Sequence, residues 1–486
     1  MSKYFLGIDQ GTTGVTALLC DINFTPVARG YCEIKQFYPR AGWVEHDPED
    51  VWQAVKNATR IALTKAEARP EDVIAIGIDH EGESVLLWDK ESGRAVCPSI
   101  VWQDKRTQAR AEELEAEYGD LFRKKTALSP DSYFSATKIE WMLKNIQVSD
   151  SVVAGNNDAW ILYKMTGGRV HKTDASTASR TMLYNIEKGE WDAELCEILG
   201  IDPSILPEIG DSARDFGVSD PDEFLGISAP ITAMLNDQQA ALLGQGCVRK
   251  GMLKTTYGTG CFVLINTGDE PVRSENGLVT TVAWQIGGRR TFALDGGVYI
   301  AGAAISWLRD GLGIIGSPKD CEAICSSVPD NGGVYFVPAF SGLAAPYCDP
   351  NARGLITGLT ASTTRAHIVR AAEEAIAYQV ADLVGIIERD ADIEISLMRC
   401  DGGAVRDGFL MQFGADILNI PLEIPKCTEA TARGVAFAAA VGAGLAELSD
   451  AEKLFEAEKR YTPAMALNER SNLLNDWHRA IERVKI

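Results

Sequence analysis

The chain has 486 residues, of which 46% are hydrophobic and 24% are charged, the composition of a folded globular protein. Because one hydrophobic core rarely organises so long a chain, two domains of roughly 200 residues or more are expected. The 68 acidic residues outnumber the 47 basic ones, and the formal net charge is -21. Such a surface repels phosphate backbones and anionic lipids, so we expect no nucleic-acid partner and no membrane partner.

Targeting segments and metal-binding cysteines are not evident either. The N-terminus reads MSKYFLGID and lacks the long apolar core of a signal peptide. The uncharged run at residues 434–446 is shorter than the ~20 residues of a membrane span. The 11 cysteines are scattered and form no CxxC pair. We therefore expect a cytoplasmic protein with reduced thiols and no structural zinc.

The first 80 residues predict strands and a helix in alternation. Four apolar runs predict strands, at residues 4–8, 15–21, 28–34 and 73–78. Asp47 is a candidate helix N-cap, followed by Pro48 at the first helical position. Apolar residues between Val51 and Ala62 then recur at helical spacing, which predicts an amphipathic helix that covers a sheet. This mixture indicates the α/β class.

A second unit of similar design begins near residue 250. Residues 251–268 read GMLKTTYGTGCFVLINTG and place a Gly/Thr-rich turn between two apolar strands, as the first unit does. Apolar periodicity predicts two helices further on, at residues 301–312 and 364–389. The glycine-rich stretch GQGCVRKG separates the two units. We therefore predict domains at residues 1–246 and 247–486.

Three glycine-rich turns are candidates for binding phosphate. In DQGTTG, residues 9–14, backbone N–H groups and hydroxyls can converge on an oxyanion, and Asp9 beside that anion would require a bridging Mg²⁺. The second is YGTG at residues 257–260, and the third is CDGGAVRDG at residues 400–408, between a predicted strand and a predicted helix. A tight hairpin explains any one of them alone, but three in one chain favour a nucleotide site.

Carboxylates stand at two predicted strand ends. Asp237 in LNDQQAALLGQG follows an apolar run and opens an Ala-rich helix, where it can reach a substrate or serve as a plain N-cap. The segment IDHEGES, residues 78–84, gathers Asp79, His80, Glu81 and Glu83 just after a strand. Residues of this kind at strand ends are candidates for general acid–base chemistry and for hydrogen bonds to a polar ligand.

Nine segments resemble the FGGY carbohydrate kinases, and among these the glycerol kinases. In chain order they are GIDQGTTG, WVEHDPEDVW, SIVWQDKRT, YFSATKIEWML, NDQQAALLGQ, TYGTGCF, AGAAISWLRDGL, VPAFSGLAAPYCDPNARG and CDGGAVRDGFLMQF. The resemblance implies two ribonuclease-H-like domains of the actin-like ATPase fold, flanking an interdomain cleft. It also implies transfer of a phosphoryl group from ATP, with Mg²⁺, to a hydroxyl of a small polyol or sugar, by an enzyme that forms dimers or tetramers.

The resemblance also implies roles for individual residues. Asp237 corresponds to the catalytic base, and Asp9 to the carboxylate associated with the metal. The nucleotide contacts implied are Asp9, Gly11, Thr12, Thr13, Gly258, Thr259, Gly302, Ser306, Gly403 and Asp407, where Ser306 replaces a glutamine and Asp407 an asparagine of the family. The acceptor contacts implied are His80, Gly82, Glu83, Trp102, Tyr133, Asp237, Gln238 and Phe262.

One segment departs from the family pattern. Where glycerol kinases read Asn-Gln-Arg-Glu-Thr, this chain reads His80-Glu81-Gly82-Glu83-Ser84. Loss of the guanidinium would weaken glycerol binding by roughly 1.5–3 kcal/mol. We predict that the vacated space admits a larger polyol or ketose, contacted by His80 or Glu81, although His80 can equally bond a neighbouring loop.

An actin-like ATPase that switches a protein partner is the alternative function. It would share the phosphate turns and the fold. The sugar-pocket residues Glu83, Trp102 and Tyr133 would have no purpose in such a protein, so the kinase is favoured.

Overall fold

A computed structural model describes residues 3–485 of the chain. The strands of its first half are β1 Tyr4–Gln10, β2 Gly14–Cys20, β3 Pro26–Glu33, β4 Gln36–Phe37, β5 Glu45–His46, β6 Val73–His80, β7 Val85–Asp89, β8 Arg94–Ala95, β9 Ser99–Ile100, β10 Val152–Asn156, β11 Lys172–Asp174, β12 Tyr184–Asn185, β13 Glu190–Trp191, β14 Glu208–Gly210 and β15 Ile231–Asn236. Its α-helices are α1 Pro48–Ala66, α2 Gln108–Thr126, α3 Ser135–Asn145, α4 Asn157–Met165, α5 Ala175–Ala178, α6 Ala193–Leu199 and α7 Asp237–Gly244.

The second half has the same mixed character. Its strands are β16 Leu253–Tyr257, β17 Cys261–Gly268, β18 Val279–Ile286, β19 Arg289–Val298, β20 Tyr335–Val337, β21 Leu355–Thr357, β22 Met398–Asp401, β23 Leu422–Pro425 and β24 Ala457–Tyr461. Its α-helices are α8 Gly302–Asp310, α9 Cys321–Ser326, α10 Arg365–Ala391, α11 Gly408–Leu418, α12 Ala430–Gly442 and α13 Leu467–Glu482.

The first sheet has the strand order β15-β6-β1-β2-β3. Strand β1 is antiparallel to β2 and parallel to β6, which in turn is parallel to β15. Helix α1 begins as the sequence predicts, because the Asp47 side chain accepts a hydrogen bond from the Glu49 N–H at 2.8 Å. The carboxyl ends of β1, β6 and β15 therefore meet at one edge of the sheet, where their polar residues converge.

The second sheet has the strand order β18-β19-β17-β16-β22-β23-β24. Strand β16 is antiparallel to β17 and parallel to β22. The turn after β16 is the predicted YGTG turn, and the turn after β22 is the third glycine cluster. Because parallel strands end at the same edge, these two turns lie side by side.

Helix α12 belongs to the second half by sequence but packs on the first sheet. A Cβ atom at Gly7 would lie 2.0 Å from the Ala432 carbonyl oxygen, and one at Gly77 would lie 2.2 Å from that of Val435. Only glycine lets the helix backbone approach β1 and β6 this closely. A cut of the chain at residue 246 would therefore remove part of the first core.

Strand β6 runs two residues further than the apolar pattern predicts. It includes Asp79 and His80, and Asp79 is paired with Asp9 across β1 while His80 is paired with Gln10. Side chains alternate between the two faces of a strand, so Asp79 and His80 point in opposite directions. Asp79 and His80 therefore contribute to different faces of the sheet.

The described residues also bear on the cysteines and on membrane-spanning helices. The 11 cysteines are all unpaired. No helix within residues 3–485 is long and apolar enough to cross a membrane.

Candidate active site

Three aspartates gather at the carboxyl edge of the first sheet. Asp9 and Asp79 are register partners on β1 and β6, and Leu235 on β15 lies opposite Asp79 from the other side. Asp237 follows two residues later, as the first residue of α7. The electrostatic influence of Asp9 on Asp237 reflects this proximity. The predicted base and the predicted metal-associated carboxylate are thus brought together.

Asp237 lies half-buried at the start of α7, and the cap of that helix is its neighbour. The Gln238 N–H donates to the Asn236 side-chain oxygen at 3.3 Å and to Asp237 Oδ1 at 2.6 Å, so one carboxylate oxygen of Asp237 contributes to the helix start. The other oxygen, Oδ2, accepts only a longer bond of 3.4 Å from the Gln238 side-chain amide. Burial, followed by the negative charge of Asp9, raises the pKa of Asp237 to about 7, while the Lys254 ammonium opposes the rise. A carboxylate with this pKa is suited to accept a proton near neutral pH.

Asp9 and Asp79 form a tight pair whose charge requires compensation. Burial raises the pKa of Asp9 to about 6, and burial together with the charges of Asp9 and Asp237 raises that of Asp79 well above its usual value. Asp79 is 0% exposed, and neither of its oxygens meets a hydrogen-bond donor in residues 3–485. Burial and the neighbouring negative charges therefore favour the protonated form of Asp79.

This edge fits a magnesium ion that is shared with a nucleotide. No group of three or more His, Cys, Asp or Glu side chains in the described part of the chain is placed to hold a metal alone. Mg²⁺ commonly takes one or two carboxylates and completes its shell with water and substrate phosphates. Asp9, half-buried beside the first glycine turn, offers such a ligand.

The first glycine turn connects the two predicted sites. It closes through a hydrogen bond from the Gly11 N–H to the Gly14 carbonyl at 3.0 Å. The Thr12 hydroxyl accepts from the Trp102 indole N–H at 3.0 Å, and Thr13 is exposed. A predicted phosphate contact, Thr12, thus holds a predicted acceptor contact, Trp102.

The second and third glycine turns pack against each other. The Gly258 N–H donates to the Gly260 carbonyl at 2.9 Å, and the Gly302 N–H, at the start of α8, donates to the Gly258 carbonyl at 3.1 Å. In the third turn, Gly402 has φ +96° and ψ 175°, and a Cβ there would lie 2.3 Å from the Tyr257 carbonyl oxygen. Backbone contact between the turns therefore requires glycine at this position.

The remaining predicted nucleotide residues lie at the same edge. Gly258, Thr259 and Gly403 are exposed. Ser306 is half-buried one turn into α8, and Asp407 caps α11 by accepting from the Leu410 N–H at 2.9 Å. The asparagine-to-aspartate change at 407 thus supplies a standard N-cap, which explains how the added charge is accommodated.

The acceptor side is organised around a buried arginine. Arg180 donates from Nε to Glu83 at 2.6 Å, from one terminal nitrogen to Asp295 at 2.9 Å, and from the other to the Tyr133 hydroxyl at 3.2 Å. Glu83 and Tyr133 are predicted acceptor residues. Arg180 was not predicted from the sequence. It supplies a guanidinium to the pocket, although the family's arginine is replaced by Gly82.

The other acceptor residues surround this group. The Trp102 and Tyr133 rings meet edge to face at 5.7 Å. Gln238 follows Asp237, and its side-chain oxygen accepts from the fully buried Lys254 ammonium. Phe262 is half-buried on β17, where it pairs with Thr256. The pocket therefore combines aromatic walls with charged groups, as sugar and polyol sites do.

His80 and Glu81 face the protein rather than the pocket. His80 Nε2 lies 2.9 Å from the Thr177 hydroxyl, and its Nδ1 accepts from the Gly82 N–H at 3.3 Å. Glu81 Oε1 accepts from the Asn157 amide at 3.1 Å and lies 3.4 Å from His46. With both ring nitrogens occupied and 0% exposure, His80 supports the loop, and the predicted direct contact with the acceptor requires correction.

Gly82 does not leave an open space. It has φ +87°, and a Cβ there would lie 2.6 Å from the side-chain nitrogen of Asn236. Asn236 is 2% exposed and thus fills the position from which a longer side chain would start. The predicted vacancy for a larger acceptor is therefore partly closed by a residue that the sequence interpretation did not consider.

Four site residues were missed from the sequence for one reason. They lie outside the loop that holds Glu83, and their contacts join segments that are distant in the chain. These residues are Arg180, Lys254, Asn236 and Asp295. Asp79 carried a usable signal, because a carboxylate in register with Asp9 on a parallel neighbour strand must lie beside it.

Comparison with known proteins gives the same assignment. Residues 4–244 match the N-terminal domain of the FGGY family of carbohydrate kinases, and residues 253–443 match its C-terminal domain. Glycerol kinase 2 of Thermotoga maritima is 46% identical over 99% of this chain and 98% of the relative. The glycerol kinase of Carboxydothermus hydrogenoformans is 45% identical over the same shares of the two chains.

A solved structure agrees with the fold. The crystal structure of Plasmodium falciparum glycerol kinase with ADP has a TM-score of 0.93 and 34% identity, and the match covers 100% of this chain and 99% of that chain. The predicted α/β architecture of the actin-like ATPase fold is confirmed, and so is the predicted class of ATP- and Mg²⁺-dependent phosphotransferase. The chain belongs to the FGGY family of carbohydrate kinases.

Proposed function

We propose that the protein transfers the γ-phosphoryl group of ATP to a hydroxyl of a small polyol, with Asp237 as the general base. The observation that carries the proposal is the position of Asp237, between the Asp9 edge with its glycine turn and the pocket that contains Glu83. Phosphoryl transfer depends on in-line positioning, on neutralised phosphate charge and on a base for the acceptor proton. One half of the chain supplies the base, and both halves supply glycine turns.

The side chains divide these tasks. Asp237, whose pKa is raised to about 7, accepts the proton of the attacking hydroxyl, and the buried Lys254 ammonium stabilises the carboxylate form. Glu83, held through one oxygen by Arg180, offers its second oxygen to acceptor hydroxyls. The glycine turns that contain Gly11 and Gly258 would supply backbone N–H groups to the phosphates. Mg²⁺ associated with Asp9 would neutralise charge on the triphosphate when it is bound.

Glycerol is the first acceptor to test. The relatives at about 45% identity are glycerol kinases, and Asn236 fills the space next to Gly82 that a larger acceptor was predicted to use. Erythritol, threitol, xylulose and ribulose remain the next candidates because the Asn-Gln-Arg-Glu-Thr segment has changed. A homo-oligomeric state and a cytoplasmic location stay predictions, and light scattering on the purified protein would measure the first.

The experiment is a coupled ADP-release assay with Mg-ATP and these acceptors, in which Asp237→Asn serves as the control. We expect ADP release that depends on the polyol and is lost in the variant. ADP release that is equal with and without every acceptor would contradict the proposal, and would favour the ATPase switch instead.

A further inference from the structure

A short segment joins the acceptor loop to the second half of the protein. This bridging segment, residues 174–181, contains α5 and is anchored by Asp174, which accepts from the N–H groups of Ser176 and Thr177 at 2.9 Å each. On one side, Thr177 bonds His80 behind the acceptor loop. On the other side, the Ser179 hydroxyl lies 2.8 Å from the Thr281 hydroxyl on β18.

Arg180 completes this bridge with ion pairs. Its guanidinium lies between Glu83 of the acceptor loop and Asp295 on β19, and the exposures of the three residues are 4%, 2% and 8%. Buried charges of this kind are stable only when each is paired. A guanidinium bonded to three partners is also fixed in orientation, so the Glu83 oxygen that it holds is fixed with it.

We propose that Arg180 and Asp295 are positioning residues for acceptor recognition: Asp295, on the second half, fixes the Arg180 guanidinium, which in turn orients Glu83 and Tyr133 toward the acceptor. Recognition of the polyol thereby depends on an ion pair that reaches into the second half of the chain. The inference rests on the proposed function, since it assigns the geometry of the same acceptor pocket.

The consequence is a selective effect on the acceptor. Without Asp295, the guanidinium loses one of its two charged partners and Glu83 is no longer held in one direction. The phosphate turns at Gly11 and Gly258 do not contact Arg180, so binding of ATP is unaffected. Loss of a residue that merely holds the two halves together would change the KM for ATP and the KM for the acceptor alike.

The test compares steady-state kinetics of Asp295→Asn and Arg180→Lys with those of a matched control, Arg290→Gln. Arg290 also joins the halves, by donating to the carbonyls of Ile186 and Glu187 at 2.6 and 2.7 Å, but contacts no acceptor residue. We expect the acceptor KM to rise about tenfold in Asp295→Asn and more in Arg180→Lys, as for loss of a charged hydrogen bond. The ATP KM should stay within about twofold, and Arg290→Gln should change neither.

A double-mutant cycle gives the second readout. If Asp295 acts through Glu83, then Asp295→Asn changes acceptor kcat/KM less than about threefold in a Glu83→Gln background. Additive effects in the cycle, or equal rises in the ATP and acceptor KM, would overturn the inference. Asp295→Asn preserves side-chain shape, so the test stands even if Arg180→Lys does not fold.

The wild-type rate with each polyol is measured first. An absence of polyol-dependent ADP release in the wild type would contradict the proposed function itself and remove the basis of this inference. Polyol-dependent activity combined with an unchanged acceptor KM in Asp295→Asn would overturn the inference alone.

Discussion

The acceptor side and the nucleotide side of the site are built in different ways. The acceptor side uses charged side chains held in a buried network, with Glu83 and Arg180 each below 5% exposure. The nucleotide side uses turns whose residues, such as Gly258 and Gly403, are exposed. Hydroxyls of a polyol must be distinguished by direction, which requires fixed side chains, whereas phosphate is bound by backbone N–H groups that a glycine turn supplies.

One predicted departure from the family pattern lies on each of these two sides. On the nucleotide side, Asp407 caps α11 by accepting from the Leu410 N–H, while burial raises the pKa of Asp407. On the acceptor side, the Asn236 side chain occupies the space beside Gly82. Substitutions on the nucleotide side are therefore expected to change the KM for ATP, and those on the acceptor side the KM for the acceptor.

Among the substitutions that compare the two sides, the largest effect is expected from Gly402→Ala on the nucleotide side. Gly402 adopts a conformation that is open almost only to glycine, and its Cβ would lie 2.3 Å from the Tyr257 carbonyl oxygen. We expect the ATP KM to rise at least about tenfold with the acceptor KM little changed, together with a lower Tm. Initial rates at varied ATP and at varied acceptor measure this separation.

The control for that substitution is Gly287→Ala. Gly287 also has a positive φ, +60°, but a Cβ there meets nothing within 4 Å. A similar rise in ATP KM in both variants would show that backbone strain in general, rather than contact between the two turns, determines the affinity for nucleotide.

Gly82→Ala is the matching substitution on the acceptor side. The new Cβ would lie 2.6 Å from the Asn236 side-chain nitrogen, which can rotate away, so the effect is smaller than at Gly402. We expect the acceptor KM to rise several-fold to about tenfold, with the ATP KM unchanged, and Asn236→Gly to reverse much of the rise. Gly93→Ala is the control, since Gly93 has φ +66° and its nearest contact would be an ordinary 3.6 Å. No reversal by Asn236→Gly would mean that the two positions are independent.

The pH dependence of turnover reports on Asp237. Its pKa is raised to about 7, chiefly by burial and then by Asp9, so the carboxylate form increases as pH rises through that value. We expect the acceptor kcat/KM to fall about tenfold from pH 8 to pH 6, because kcat/KM follows the enzyme before the acceptor binds and each unit below a pKa removes about tenfold of the base form. The residual activity of Asp237→Asn should lack this inflection. The same pH profile in the wild type and in Asp237→Asn would assign the inflection to another group, such as ATP.

The smallest effect is expected from Asp79→Asn. Burial, together with the charges of Asp9 and Asp237, raises the pKa of Asp79 well above its usual value, and asparagine matches the protonated form that this favours in shape and charge. We expect kcat to change less than about threefold. Since a carboxyl with a raised folded-state pKa destabilises the protein as pH rises above its unfolded value, Tm at pH 8 should be equal or higher in the variant. A loss of turnover comparable to that of an active-site variant would show that Asp79 acts as a charged group.

Local signals made most of the fold predictable. The glycine turns, the Asp47 cap and the helical periodicity of α1 and α10 all depend on neighbouring residues, and the structure confirms them. The same local patterns indicated Asp9 and Asp237, because each stands at the end of an apolar strand.

Contacts between residues far apart in the chain could not be predicted from local patterns. The ion pairs of Arg180 join residues 97 and 115 positions apart in the chain, and no periodicity reports such contacts. The packing of α12 on the first sheet is equally remote in sequence. His80 was misplaced for a simpler reason: β6 continues through it, and strand alternation turns it away from the face that Asp79 occupies.

The most direct measurement combines turnover and acceptor binding in Asp237→Asn. The account predicts that kcat with Mg-ATP and the best polyol falls by about 10²–10⁴-fold, the usual contribution of a general base. It also predicts that the acceptor Kd from calorimetry stays within about threefold, because Glu83 and Arg180 still form the pocket. A variant that retains more than about a tenth of the wild-type kcat would contradict the assignment of Asp237 as the base.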